Sequence, residues 1–355
     1  MTDTELFHAE GLPVLQNRTF GTREEALASA TGDVVLVRDP RTGLIHNRAF
    51  DSSLLVYDAS YQNEQACSAA FREHLAAVQQ IISRHMGGRP LIEIGCGKGY
   101  FLDQLTSAGF EITGIDPAYE GPNPRVVKGR FERGFGLRAD GVLLRHVLEH
   151  IPNPGLFLAD IAAANGGTGI IYIEVPCFDW ICSHRAWFDV FYEHVNYFRL
   201  SNFHRMFDEV IDSGRLFGGQ YLYVVAELSS LKVSMAGPDD TAALPSDFLA
   251  GVERAACRIR ENPGRRHAVW GAGSKGVIFT IYMQRAGLLV DDVIDVNPVK
   301  QGRHLPISGL RVSAPTDACG RMRAGDEILV MNSNYLEEIR SASGDRYSYV
   351  PVDHD

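Results

Sequence analysis

The sequence has no CxxC pair. Its six cysteines, Cys67, Cys96, Cys177, Cys182, Cys257 and Cys319, are scattered along 355 residues. That spacing excludes a zinc ribbon or a disulfide framework and suits reduced thiols in cytosol. Basic charge is short as well: 34 Lys and Arg stand against 44 Asp and Glu, a net of −10. A nucleic-acid binder needs a basic face to release counterions, so duplex DNA is a poor partner for this chain. No apolar run approaches the ~18 residues that a spanning helix requires. The start, MTDTELFHAE, lacks the basic and apolar regions of a signal peptide. Solenoid repeats and low-complexity tracts are missing too. These absences point to a cytoplasmic protein with a small-molecule partner, no nucleic acid and no membrane. They leave its oligomeric state, monomer or dimer, open.

The length predicts two or three domains. Residues 1–70 are polar and turn-rich, with a short strand-like run, VVLVRD, at 34–39, and read as a small amino-terminal module. From Ser68 a helical period appears in Phe71, Leu75, Val78, Ile81 and Ile82, ended by Gly87, Gly88 and Pro90. Strands and helices then alternate, giving an α/β domain over 71–235. The stretch AGPDDTAALPS at 236–246 reads as a seam. A helix near 247–261 follows, then a second α/β domain over 245–355 with strand candidates HAVWG (267–271), DVIDV (292–296) and EILVM (327–331).

Each α/β domain carries a glycine fingerprint. In the first, Leu91-Ile92-Glu93-Ile94 reads as a buried parallel strand, and Gly95-Cys96-Gly97-Lys98-Gly99 follows at once. Glycines let the backbone turn sharply and approach a ligand closely. The next strand ends in Asp116, which a doubly wound sheet would set beside the loop, ready for ribose hydroxyls. The loop is GxGxG behind an acidic Glu93, not GxGxxG. It resembles motif I of class I S-adenosylmethionine (SAM) methyltransferases, which implies SAM as cofactor, held by Glu93, Gly95, Cys96, Gly97, Gly99 and Asp116. By the same resemblance, Arg145 and His146, after the strand in ADGVLLRHVLEHI (139–151), line the cofactor pocket, and Phe131 meets adenine.

In the second domain, Gly271-Ala272-Gly273-Ser274-Lys275-Gly276 is a true GxGxxG, with Asp295 at the end of the following strand. Taken alone it suggests an NAD-dependent oxidoreductase, though such loops also serve other phosphate ligands. A packing-only domain is the plain alternative.

His146-Val147-Leu148-Glu149-His150 satisfies the HxxEH pattern of inverted zinc proteases. Pro152 and Pro154 stop the helix that such a site needs, so Glu149 and His150 read as local capping and packing.

Phe191-Tyr192-Glu193-His194-Val195-Asn196-Tyr197-Phe198 crowds an acid, an imidazole and two phenols together. Chemistry alone reads it as an aromatic loop. With QNRTF (16–20), YDASYQNEQACS (57–68), CGKGYFLDQL, RHVLEHIPNP, GGQYLYVVA and the carboxy-terminal VWGAGSKG and VIDVNPVKQGRHLPISGLRV, it resembles the sugar C-methyltransferase family along nearly the whole chain. The resemblance implies a class I SAM methyltransferase domain plus a second, smaller Rossmann-like domain, and methylation beside the carbonyl of a nucleotide-linked keto-sugar. His194 becomes the expected general base, since imidazole titrates near neutrality, with Glu193 and Tyr192 orienting it. Tyr57, Tyr61, Tyr197, Lys275, Asn297 and Lys300 become expected substrate contacts. Such proteins usually begin with paired cysteines that ligate zinc. Here only His8, His46 and Cys67 precede residue 70, too few for a tetrahedral site, so no metal is expected. An O- or N-methyltransferase of a natural-product pathway is the alternative on this scaffold.

Overall fold

The computed structural model describes residues 3–55, 61–136, 138–232 and 242–353. Tyr57, an expected substrate contact, lies outside them.

A seven-stranded sheet occupies the middle of the chain. Its spatial order is Val210–Leu216, Tyr221–Glu227, Ile170–Pro176, Gly141–Arg145, Leu91–Ile94, Ile112–Asp116 and Val126–Lys128. Leu91–Ile94 pairs in parallel with Ile112–Asp116 on one side and Gly141–Arg145 on the other. Strand order therefore reverses at Leu91–Ile94, and a doubly wound sheet opens its ligand crevice at the carboxyl ends of such a pair. The inner strands are apolar runs because helices cover both their faces: LIEI and IIYIEVP are buried at every position. The helix Ala69–Met86 is capped by Ser68, whose Oγ accepts the Phe71 N–H, and buries Phe71, Leu75, Val78, Ile81 and Ile82.

The carboxy-terminal sheet is wholly parallel, in the order Val312–Ser313, Asp292–Ile294, His267–Trp270, Glu327–Val330 and Ser348–Pro351. The helix Ser274–Arg285 follows its central strand. Gly276 is obligatory there, since a Cβ on it would fall 1.8 Å from the Gly271 carbonyl oxygen.

The amino-terminal sheet joins Thr4–Pro13, Thr31–Arg38 and Ile45–Asn47 in antiparallel order. Its fourth strand is Asn196–Tyr197, which pairs with Ile45 and His46. The segment expected to carry the base is thus stitched into this sheet. One continuous buried cluster takes in Leu36 and Ile45, Ile94 and Leu144, Trp187, Val269 and Phe279, so the three sheets share a core. Trp187 stacks on Phe279 of the carboxy-terminal helix at 5.6 Å. Among the described residues no helix is long and apolar enough to cross a membrane.

Candidate active site

The glycine loop after Leu91–Ile94 turns through left-handed backbone at Gly95 (φ 78°), Gly97 (φ 57°) and Gly99 (φ 83°). Only glycine takes such angles freely. At Gly95 there is a second reason: a Cβ would stand 2.3 Å from Val147 Cγ2. Asp116 holds the loop in shape, with Oδ2 accepting the Gly97 N–H at 2.8 Å and Oδ1 the Ala118 N–H at 2.7 Å. Burial nonetheless raises its carboxyl above the ordinary range.

A cavity of about 470 Å³ opens over this loop and is lined by Glu93, Gly95, Cys96, Gly97, Asp116, Phe131, Arg145 and His146. Eight of the nine residues expected at the cofactor therefore meet in one place. Gly99 is the exception. It is set back as the residue that starts the helix Tyr100–Ser107, because its N–H is spent on the Cys96 carbonyl. Glu93 is buried with Oε2 unbonded, and burial, opposed by Arg145 at 3.9 Å, pushes its carboxyl up to about 7. A main-chain cradle of three left-handed glycines, one of them closed to a Cβ, an acid at the end of the adjoining strand and an orphaned buried carboxyl oxygen are a donor and acceptor set that SAM fits.

A second cavity of about 260 Å³ is lined by Tyr61, His146, Glu149, His150, Asp189, His194, Lys275, Asn297 and Lys300, among others. Tyr61, Asn63, Glu64, Gln65, His146 and His150 line both cavities, so the two adjoin at a shared wall.

The imidazoles at that wall differ. His194 is buried with Nδ1 unbonded. Burial, reinforced by His150 and His146, holds it well below the ordinary imidazole range, so it is neutral. Burial alone would lower His146 too, but Glu149 and Glu174 overcome it and lift the ring to about 9. His150 donates from Nδ1 to the Glu193 carbonyl at 2.9 Å. The HxxEH imidazoles do not act together: His146 clusters with His74 and Glu174, and His150 with Glu149 and His194.

Three expected site residues sit elsewhere. The Tyr192 hydroxyl accepts the Asp51 N–H at 2.8 Å and its ring packs on Phe50, in the amino-terminal module. Tyr197 is a strand residue whose hydroxyl is spent on the Phe191 N–H and carbonyl. Neither lines either of these two cavities: the chain turns at Tyr192 and Glu193, so Phe191 and His194 face the second cavity and the residues between them face away. Glu193 stands just behind the wall: Oε1 accepts the Gln16 N–H at 2.6 Å and Oε2 the Tyr61 hydroxyl at 2.7 Å. It orients Tyr61 and ties down residue 16.

On the carboxy-terminal side, Lys275 turns to Asp189 (3.4 Å) and lies over the Trp180 ring (4.8 Å). Lys300 donates to the Ala272 carbonyl at 3.2 Å. Asn297 Oδ1 accepts the Val299 N–H. Asp295 repeats the Asp116 arrangement, accepting the Ala272 and Asn297 N–H groups at 2.8 Å each.

Sequence reading missed Glu174, which accepts from the Tyr172 hydroxyl at 2.7 Å and lies 3.0 Å from His74 Nε2 and 2.9 Å from His146 Nε2. An acid inside a run as apolar as IIYIEVP was the available signal. It also took Glu149 for a cap. Both Glu149 oxygens are instead buried without hydrogen bonds beside the second cavity.

Residues 63–210 match the family described as methyltransferase domain. The C-methyltransferase NovU of Streptomyces niveus is 24% identical over 310 residues, 75% of this chain and 72% of that protein. A ubiquinone biosynthesis O-methyltransferase of Rhodopseudomonas palustris (strain BisA53) is 29% identical over 110 residues, 27% of this chain and 43% of that protein. Among solved structures, a Burkholderia thailandensis 1,6-didemethyltoxoflavin-N1-methyltransferase with bound S-adenosylhomocysteine superposes with a TM-score of 0.33 at 21% identity, covering 45% of this chain and 78% of that one. The doubly wound sheet, the SAM-shaped cradle at its switch point and the matching domain together make this protein a SAM-dependent methyltransferase of the class I fold.

Proposed function

We propose that the protein methylates carbon, next to the carbonyl of a small molecule such as a nucleotide-linked keto-sugar, in natural-product or polysaccharide biosynthesis. The observation that carries this reading is the shared wall between the two cavities, with a neutral buried imidazole behind it. A heteroatom is already nucleophilic, whereas carbon beside a carbonyl must first lose a proton. His194 is unprotonated and free to take it, but burial makes it a weaker base than the imidazole titrating near neutrality expected from the sequence. The likeness to NovU over 72% of that protein's length supports the same chemistry.

In this reading Gly95, Gly97 and the Glu93 carboxyl hold the amino-acid end of SAM, Asp116 the ribose and Phe131 the adenine. SAM supplies a methyl group activated on sulfonium. His194 takes the α-proton, and Glu193 fixes the wall through Tyr61. Asn297, Lys275 and Lys300 receive the remote part of the substrate, the two lysines by exchanging their protein partners for substrate oxygens. Residues 1–70, 71–235 and 245–355 serve as a metal-free module, the SAM domain and the substrate domain of a cytoplasmic enzyme.

The test uses S-adenosylhomocysteine, deuterated water and a panel of nucleotide keto-sugars. The wild type should exchange the substrate's α-hydrogen, and His194→Ala should lose exchange by ~10²-fold or more, the scale of a general base, while still binding SAM. Methylated product from labelled SAM with no carbon exchange would move the reaction to oxygen or nitrogen.

A further inference from the structure

The residue that the cavities share most closely is one that the cofactor does not fully explain. His146 lines both. It sits directly after the strand Gly141–Arg145 with its backbone in the left-handed region at φ 52°, a conformation uncommon for non-glycine residues. Its N–H is bonded to the Glu174 carbonyl at 2.9 Å, and its ring meets the edge of Tyr221 with centroids 4.5 Å apart. The placement is therefore firm.

The two ring nitrogens are unlike. Nε2 is buried 2.9 Å from Glu174 Oε1, an ion-pair approach without hydrogen-bond alignment. Nδ1 is 3.4 Å from Glu149 Oε1, beyond a good hydrogen bond, and neither Glu149 oxygen accepts one. The side chain keeps 24% of its surface, while Glu149 and Glu174 keep 1% and none. Arg145 is shared by two buried acids, 3.9 Å from Glu93 and 3.7 Å from Glu174. A protonated His146 adds positive charge beside Glu174 and beside Glu149, the third buried acid. The other groups facing it are His74, whose Nε2 lies 3.0 Å from the same Glu174 oxygen, Asp189, already paired with Lys275, the Tyr221 phenol, and the imidazoles of His150 and His194.

We propose that His146 is the electrophilic partner of the base, an imidazolium at the seam of the two cavities whose Nδ1–H receives the substrate's carbonyl oxygen as it becomes an enolate oxygen. The role rests on the C-methylation reading and extends it. As the α-carbon's C–H bond breaks, its proton passes to His194. The bonding pair becomes the carbon–carbon π bond, and the carbonyl π electrons move to the oxygen that His146 holds. A fixed cation aimed where negative charge develops is the arrangement that lowers such a barrier. A neutral acceptor of protons and a charged donor, one fold apart in environment, divide the acid and base work between two histidines.

The first experiment needs no substrate. Long-range proton–nitrogen spectra of histidine-labelled protein with S-adenosylhomocysteine, with His146 assigned through His146→Asn, should show His146 as imidazolium at pH 8 and His194 neutral. A neutral His146 at pH 7.5 overturns the proposal. Asparagine is chosen because it tolerates left-handed backbone. In the exchange assay at saturating S-adenosylhomocysteine His146→Asn should lose α-deuteration by ~10²-fold or more, whatever the change in cofactor affinity. Normal exchange at saturating S-adenosylhomocysteine, with or without weaker binding, overturns the proposal and leaves His146 a cofactor or structural residue. Glu149→Gln keeps the ring and removes one of its acids, so the alkaline limb of kcat/KM should move below about 9. An unmoved limb also overturns it. A wild type that exchanges no member of the panel overturns the C-methylation reading, and this role with it.

Discussion

Replacing Asp116 by alanine would remove two hydrogen bonds from the glycine loop and, in the reading above, those to the ribose. The loop bonds are short, 2.8 Å from Gly97 and 2.7 Å from Ala118, and bonds to a charged group contribute about 1.5–3 kcal/mol each. Burial works against the carboxyl, as its raised pKa shows, so the low end applies: roughly 3 kcal/mol for the two, reduced where the freed N–H groups reach water. The SAM-bound state should lose further, because the cradle and the ribose acceptor go together. Urea unfolding without SAM would read the first loss, and calorimetric SAM titration the second. The two are separable, since a ligand stabilises only by its own occupancy of the folded state. We expect a SAM affinity at least tenfold weaker, above 1.4 kcal/mol, in a protein that still unfolds cooperatively. Unchanged affinity would refute both the loop-holding role and the ribose assignment.

Tyr192→Phe should lower stability by about 1 kcal/mol through the lost bond to Asp51 and leave methyl transfer unchanged; a fall in kcat with stability intact would return Tyr192 to the catalytic set. Gly276→Ala should cost about 1–3 kcal/mol or more from the collision with the Gly271 carbonyl, read as a lower midpoint in thermal unfolding. Glu93 titrates at about 7 in the fold against an ordinary 4.5. Its contribution is present below pH 4.5 and is lost as pH rises through 7. Glu93→Gln should therefore flatten the decline of SAM-free stability across that window, and an unaltered pH profile would show that Glu93 is not the group responsible.

The central and carboxy-terminal sheets were readable because parallel strands covered on both faces are buried at every position and mostly apolar, as LIEI and HAVW are apart from Glu93 and His267. The amino-terminal sheet hid its period. Its first strand has register shifts between Glu5 and Phe7 and between Ala9 and Leu12, each of which breaks the alternation that marks a strand. Its last strand, two residues long, comes from position 196, and no local pattern announces so distant a partner. At the site, the glycine loops and Asp116 were legible because backbone conformation dictates residue type there. Glu174 and Glu149 were not, since their meaning lies in what other strands bring to them. Tyr192 misled for the converse reason: adjacency in sequence to His194 is not adjacency in a turn.

The stretch from Trp187 to Tyr197 ties the central domain to both flanking units: Trp187 stacks on the carboxy-terminal helix, Asp189 meets Lys275, Glu193 holds the Gln16 N–H, and Tyr197 pairs with Ile45. Chemistry and assembly are consequently inseparable in this enzyme. A fragment limited to residues 63–210 would bare Trp187 and leave Asn196–Tyr197 an unpaired edge, inviting self-association. Swapping either flanking sheet for a relative's would displace His194, the proposed base, along with the cavity it lines. Changes of substrate in such a chain should therefore arise from side chains within the second cavity, one at a time, more readily than from exchange of whole modules.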